Sequence, residues 1–93
     1  IYTNGPPSGA FRGFGVPQAA LAQESLFDDL ATAAGIDRLE FRLINAIRAG
    51  DTTPSGQRLE ASAGLAECLE ALKPHWQRLL ADAAAFNASE GRT

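Results

Sequence analysis

A mainly α-helical chain, in which a loop leads into a helical hairpin and then into one or two further helices, is what these 93 residues predict. Three observations carry the reading. From position 17 onward apolar residues recur at spacings of three and four, the signature of helices with one buried face. Glycine and proline cluster between those stretches, where turns are needed. Strand-like alternation is missing beyond an extended start at Ile1 to Thr3.

Residues 1–16 read as a loop. Asn4-Gly5-Pro6-Pro7-Ser8-Gly9 is dense in turn formers, and its prolines bias their neighbours toward extended backbone. Residues 17–93 read as the helical segment. Pro17 suits a first helical turn, where a missing N–H loses no partner. From there to Ala34, the residues Ala19, Ala22, Leu26 and Leu30 form a stripe that Phe27 and Ala34 widen, and Gly35 supplies a stop. Asp28 and Asp29 fall on the polar side and are expected to be solvated.

The second helix carries the best start signals. Asp37 is placed to cap free N–H groups, Glu40 three residues later to complete a capping box, and Ile36 with Phe41 to form a hydrophobic staple. Phe41, Ile44 and Ile47 make the expected inward stripe. Arg48 complements the dipole near the C-terminal end, and Gly50 ends the helix. Asp51 to Ala61 is a polar connector. Ser62 then caps a third helix carrying Leu65, Cys68, Leu69 and Leu72. Pro74 predicts a break near Lys73. A fourth helix continues to Phe86, with Trp76, Leu79, Leu80, Ala83 and Phe86 on its apolar face.

Composition excludes several functions. The net charge of -3 and the pI near 4.9 speak against a nucleic-acid or anionic-membrane surface. No apolar run is long enough to span a bilayer. Cys68 and His75 are the only residues of their types, so the chain alone cannot build a tetrahedral zinc site or an internal disulfide. Cys68 reads as a small hydrophobe, His75 as a surface or capping residue, and a reducing, cytoplasmic setting is expected. Ile1 opens a chain without methionine, which predicts either a piece of a longer polypeptide or a removed initiator. At this length a globular domain is expected to bury roughly 60 to 65 per cent of its extended surface, a marginal amount for independent folding.

The chemistry lies in Ala10-Phe11-Arg12-Gly13-Phe14-Gly15-Val16-Pro17-Gln18. Gly13 and Gly15 let backbone approach a ligand closely, and the helix N-terminus after them favours an anionic group. Arg12 offers a forked donor set for phosphate or an oxo-anion, and Phe14 a ring that stacks on a flat partner. A dinucleotide fingerprint fails because position 18 is Gln and no strand precedes the loop. A phosphate loop fails because no Gly-Lys-Ser/Thr comes after it. Read without further context, Phe11 and Phe14 are also ordinary core anchors, and Arg12 an ordinary salt-bridge partner.

Thr3-Asn4 followed by Gly9-Ala10-Phe11-Arg12-Gly13-Phe14-Gly15-Val16-Pro17-Gln18 resembles the active-site loop of the molybdenum hydroxylases, the xanthine dehydrogenase and aldehyde oxidase family, in its molybdenum-binding subunit or domain. The likeness continues through Glu24-Ser25-Leu26, Asp29-Leu30-Ala31, Gly35-Ile36-Asp37, Glu40-Phe41-Arg42, Asn45-Ala46 and Gly50-Asp51-Thr52-Thr53-Pro54-Ser55-Gly56-Gln57. It fades after Ser62.

The resemblance implies an interior part of a larger α+β molybdopterin-binding domain. It implies a parent enzyme that hydroxylates a heteroaromatic, purine-like substrate or an aldehyde with oxygen from water. It places the molybdenum-molybdopterin cofactor in that parent, and iron–sulfur clusters and FAD on other domains or subunits. By position, Phe14 matches the substrate-stacking aromatic, and Arg12, Phe11, Gly13 and Gly15 match the cofactor-side loop. The family's glutamate base has no counterpart here; Glu40 reads as a cap, and Glu24, Glu67 and Glu70 as exposed helix positions. The isolated chain is therefore expected to be inactive and to self-associate through unpartnered apolar faces. The rival reading is a small helical interaction module with the loop aromatics as interface anchors.

Overall fold

The computed structural model describes residues 2–91. Its helices are α1 (Val16–Ala34), α2 (Arg38–Asn45) and α3 (Leu65–Ser89), and a short turn at Gly13–Gly15 precedes α1. No strand occurs among the described residues. One isolated antiparallel bridge joins Thr52 to Arg58 in the connector between α2 and α3. The extended start expected at Ile1 to Thr3 falls partly outside the described residues, and Tyr2 and Thr3 belong to no strand.

α1 begins at the left-handed Gly15, carries Pro17 in its first turn, and stops at the left-handed Gly35. The Gly35 N–H donates to the Thr32 carbonyl and the Ile36 N–H to the Ala31 carbonyl, so two terminal carbonyls that would otherwise lack partners are satisfied. α2 begins at once. The Asp37 carboxylate accepts from the Leu39 N–H at 2.9 Å and the Glu40 N–H at 3.1 Å, the capping role its sequence position predicts. Glu40 does not close a capping box. Its carboxylate turns instead to Lys73 on α3, 3.7 Å away.

The buried stripes run along a different register from the expected one. On α2 the buried side chains are Leu39 and Leu43, followed by Ala46 just past the helix, whereas Ile44 points outward. The helix ends at Asn45, short of Gly50, so Ile47 lies beyond it. Ala46 turns to extended backbone, and the Arg48 guanidinium donates to the Leu43 carbonyl at the helix end. On α1 the facing positions are Glu24, Phe27, Asp28 and Ala31, while Leu21, Leu26 and Leu30 are exposed. The facing seam is crossed by ion pairs. Arg42 lies between Leu39 and Leu43 on α2, and its Nε donates to Glu24 Oε2 at 2.6 Å. An Nη of the same guanidinium lies 3.0 Å from Asp28 Oδ1. Asp28 is thus half-buried and ion-paired as well as partly solvated, and Glu24, at the exposed position expected of it, serves as an anchor. Phe27 and Phe41 close the same seam with ring centroids 5.9 Å apart.

The break expected at Pro74 does not occur. α3 is one helix of 25 residues with Pro74 inside it, begun at Gly64 without a side-chain cap from Ser62. An interior proline leaves one carbonyl unbonded, and on a helix with no buried residue that carbonyl is within reach of solvent. Cys68 is exposed rather than packed. α3 rests on α2 alone, and α1 and α3 do not pack on each other.

The result is expanded. A radius of gyration of 18.2 Å exceeds the roughly 12 Å of a compact domain of this length. The accessible surface is 7930 Å², against about 14,000 Å² for the extended chain, so the buried share is about 44 per cent rather than the expected 60 to 65. Among the described residues only Ala31, Leu39, Leu43 and Ala46 form a core.

Candidate functional site

The loop before α1 is built from an unusual backbone. Gly13, Phe14 and Gly15 have φ of +69°, +53° and +83°, three successive residues in the left-handed region. Phe14 is the only non-glycine residue there among those described. A phenylalanine in that conformation costs on the order of 1 kcal/mol, because its Cβ crowds the following carbonyl. At Gly13 a Cβ would have room, with Val16 Cβ at 3.7 Å, so it is the dihedral and not space that calls for glycine. The turn is closed by the Val16 N–H donating to the Gly13 carbonyl.

This geometry throws the side chains outward. The Phe14 ring is 94% exposed and Phe11 98%, so neither anchors a core. Arg12 has extended backbone and lays its guanidinium 5.9 Å from the Phe11 ring centroid. No carboxylate among the described residues pairs with Arg12. No side chain caps the first turn of α1, whose positive end faces the same region. The structure therefore brings Phe11, Arg12, Gly13, Phe14 and Gly15 together as one protruding feature with a ring, a cation and free donors. Glu40, Glu24 and Asp28 are committed to ion pairs elsewhere. No group of three or more His, Cys, Asp or Glu residues able to hold a metal occurs among the described residues. None of their helices is long and apolar enough to cross a membrane.

Two features escape a reading of the sequence. A hollow of about 410 Å³ lies between α2 and α3, floored by Leu39, Leu69, Leu72, Trp76 and Leu79. Exposed His75 and the paired Asp28, Arg38 and Arg42 stand at its rim, so it offers apolar packing surface more than free polar groups. The second feature is Trp76, whose indole N–H donates to both Asp37 oxygens, at 2.9 and 3.1 Å. That bond holds the Asp37 carboxyl below the usual carboxylate range. Partial burial opposes it, while the Glu40 and Leu39 amides and the Arg38 charge reinforce it. The Arg42 cluster left a trace in the sequence: acids four apart at Glu24 and Asp28 match bases four apart at Arg38 and Arg42. Nothing local pairs Asp37 with Trp76.

The fold and loop together define a class: a helical support that presents a glycine-hinged aromatic turn to something outside itself. A family model described as the molybdopterin cofactor-binding domain matches residues 1–46. The chain is 59% identical over 70 residues to the xanthine dehydrogenase molybdenum-binding subunit of Escherichia coli O157:H7, covering 74% of the chain and 9% of that relative. It is 51% identical over 70 residues to the nicotinate dehydrogenase large molybdopterin subunit of Eubacterium barkeri, covering 75% and 16% respectively. To the aldehyde oxidoreductase of Megalodesulfovibrio gigas it is 44% identical over 80 residues, covering 86% and 9%. The chain belongs to the xanthine dehydrogenase and aldehyde oxidase family of molybdenum hydroxylases. It spans between 9% and 16% of the length of these relatives.

Proposed function

We propose that this chain is the substrate-side wall of a molybdopterin pocket, in which residues 1–16 are the pocket loop and residues 17–93 its helical support. In this reading Phe14 stacks on a planar substrate, and Arg12, Phe11, Gly13 and Gly15 border the cofactor. The observation that carries it is Phe14 itself. A residue kept in a strained conformation with its ring in solvent gains nothing inside this chain, so its return comes from a partner.

The donor set suits the cofactor's organic, anionic part. Arg12 is without a carboxylate partner among the described residues, the α1 terminus is uncapped, and glycine on both sides of Phe14 permits close approach. When bound, the molybdenum-bearing pterin supplies a two-electron oxidation that replaces a substrate C–H by C–OH with oxygen from water. Iron–sulfur and FAD groups on other domains or subunits of the parent would take up the electrons. The chain's own contribution is orientation: a flat heteroaromatic or aldehyde substrate is held against Phe14 while backbone and Arg12 meet negative charge. The Glu24, Asp28 and Glu40 carboxylates are held in ion pairs away from the loop, and without the cofactor and the family's glutamate base the chain alone is inactive. We place the parent in the cytoplasm, in keeping with a single unpaired cysteine.

The test is made in the full-length parent. Phe14→Ala should raise KM for a heteroaromatic substrate about tenfold, the loss of one good stacking contact, while molybdenum content stays at the unaltered level. Unchanged kcat/KM in a fully loaded Phe14→Ala enzyme would refute the assignment.

A further inference from the structure

α3 is a rod about 37 Å long that has no buried residue and, of the other helices, packs only on the short α2. Its fixed points are few. Lys73 reaches Glu40 across 3.7 Å, but it also lies 3.5 Å from Glu70 on its own helix, so its charge is shared. Leu69 and Trp76 are half-buried against α2, and Leu72 and Leu79 line an open hollow. Among the described residues the one direct side-chain hydrogen bond from α3 to the α1–α2 unit is the Trp76 indole on the α2 cap residue Asp37, near the midpoint of the rod.

We propose that the Asp37 carboxylate is a clasp that sets the direction of α3 against the α1–α2 corner. One side chain performs both tasks: it caps α2 through the Leu39 and Glu40 amides and pins the centre of α3 through Trp76. Asp37 is thus a positioning residue, acting on no ligand itself. A rod held at its middle rotates when released, and its two ends move in opposite directions. The charged groups around the clasp are Arg38 and Glu40 on α2 and Lys73 on α3, with the titratable His75 one position from Trp76. Arg38 faces Asp28 of α1, and Lys73 faces Glu40, so neither replaces the Trp76 bond if it is lost.

The full 93-residue chain at high dilution carries the test. A spin label on the native Cys68 of α3, which is exposed, and a second on Ser25→Cys of α1 report the angle between the two elements. Cys68 lies about 12 Å along the rod from the pivot, so a swing of about 20° moves it about 4 Å. The pulsed-EPR distance distribution should be narrow in the chain with Asp37 and Trp76 intact. It should broaden about twofold in Trp76→Phe, which leaves the α2 cap in place, and in Asp37→Ala. Lys73→Ala, which removes only the ion pair, should leave it narrow. An unchanged distribution in Trp76→Phe would overturn the proposal. Equal broadening in Lys73→Ala would do the same, as would loss of far-UV helical signal in Trp76→Phe, because release of a clasp leaves the rod itself folded.

Discussion

Replacing Arg42 tests whether α1 and α2 are held together by charge as well as by their small apolar seam. The guanidinium side chain is 21% exposed, against 53% and 40% for the Glu24 and Asp28 side chains it serves. Besides the two carboxylates it donates to the Arg38 carbonyl at 3.0 Å and to the Glu24 carbonyl at 3.2 Å. Burial works to lower the affinity of this group for its proton, but the Glu24 and Asp28 partners outweigh it, so Arg42 stays charged. Fully buried pairs of this kind often gain little, since desolvation offsets attraction. Here both acids keep much of their water, and together they outweigh the desolvation of Arg42. Allowing about 0.5 to 1 kcal/mol for each half-screened pair, Arg42→Met should cost about 1.5 kcal/mol. Arg42→Ala, which also removes the apolar stem lining the hollow beside Leu39, should cost about 2.5 kcal/mol. In a chain of this size 1 kcal/mol moves Tm by about 4 to 8 °C, so Arg42→Met should melt roughly 9 °C lower by circular dichroism. A second measurement, the cycle with Asp28→Asn, should return a coupling of about 0.5 to 1 kcal/mol. An Arg42→Met chain melting within about 1 °C of the unaltered chain would refute the reasoning.

Pro74→Ala should stabilise the chain by about 2 kcal/mol, since it restores a helical hydrogen bond at the cost of a freer unfolded chain, and thermal melts will read it. Phe14→Ala should change unfolding free energy by less than about 0.5 kcal/mol, because the ring is exposed and alanine keeps the same backbone strain; a larger loss would mean that Phe14 packs on its own chain. The lowered Asp37 carboxyl stabilises the fold fully above the unfolded value near 3.9, and that contribution fades as pH falls through the lower folded value. Urea midpoints should therefore drop less between about pH 5 and pH 2 in Asp37→Asn than with Asp37 in place.

The parts legible in sequence are those with local causes. Gly35, Asp37 and Pro17 mark helix ends through backbone chemistry within a few residues, and the structure uses each as expected. The register of burial is different in kind. Leu26, Leu30 and Ile44 look inward by hydrophobicity, yet they are exposed, and the seam runs where Arg42 meets Glu24 and Asp28, eighteen and fourteen residues back. Pro74 misled for a related reason: its local penalty is real, but continuing the helix on both sides outweighs it. The candidate loop is legible at the level of residue type. Glycines on either side of an aromatic predict unusual backbone, but not that Phe14 itself would take the left-handed form.

This division of labour has a physical logic. A strained turn keeps its shape only if the adjoining element is stiff, and α1 is the longest element directly attached to it. α1 is stiff on one side only, where Arg42, Phe41 and the Ala31 contact fasten it to α2. α2 is in turn capped by Asp37, which also receives α3. The eight residues of α2 are therefore the common support of both long helices, although none of them belongs to the loop. A shift of α2 would reach the turn through α1, whose Glu24, Phe27 and Asp28 it touches and whose first residue adjoins Gly15. Substitutions in α2 should then alter the turn before α1 at a distance, whereas substitutions in the distal half of α3 should not.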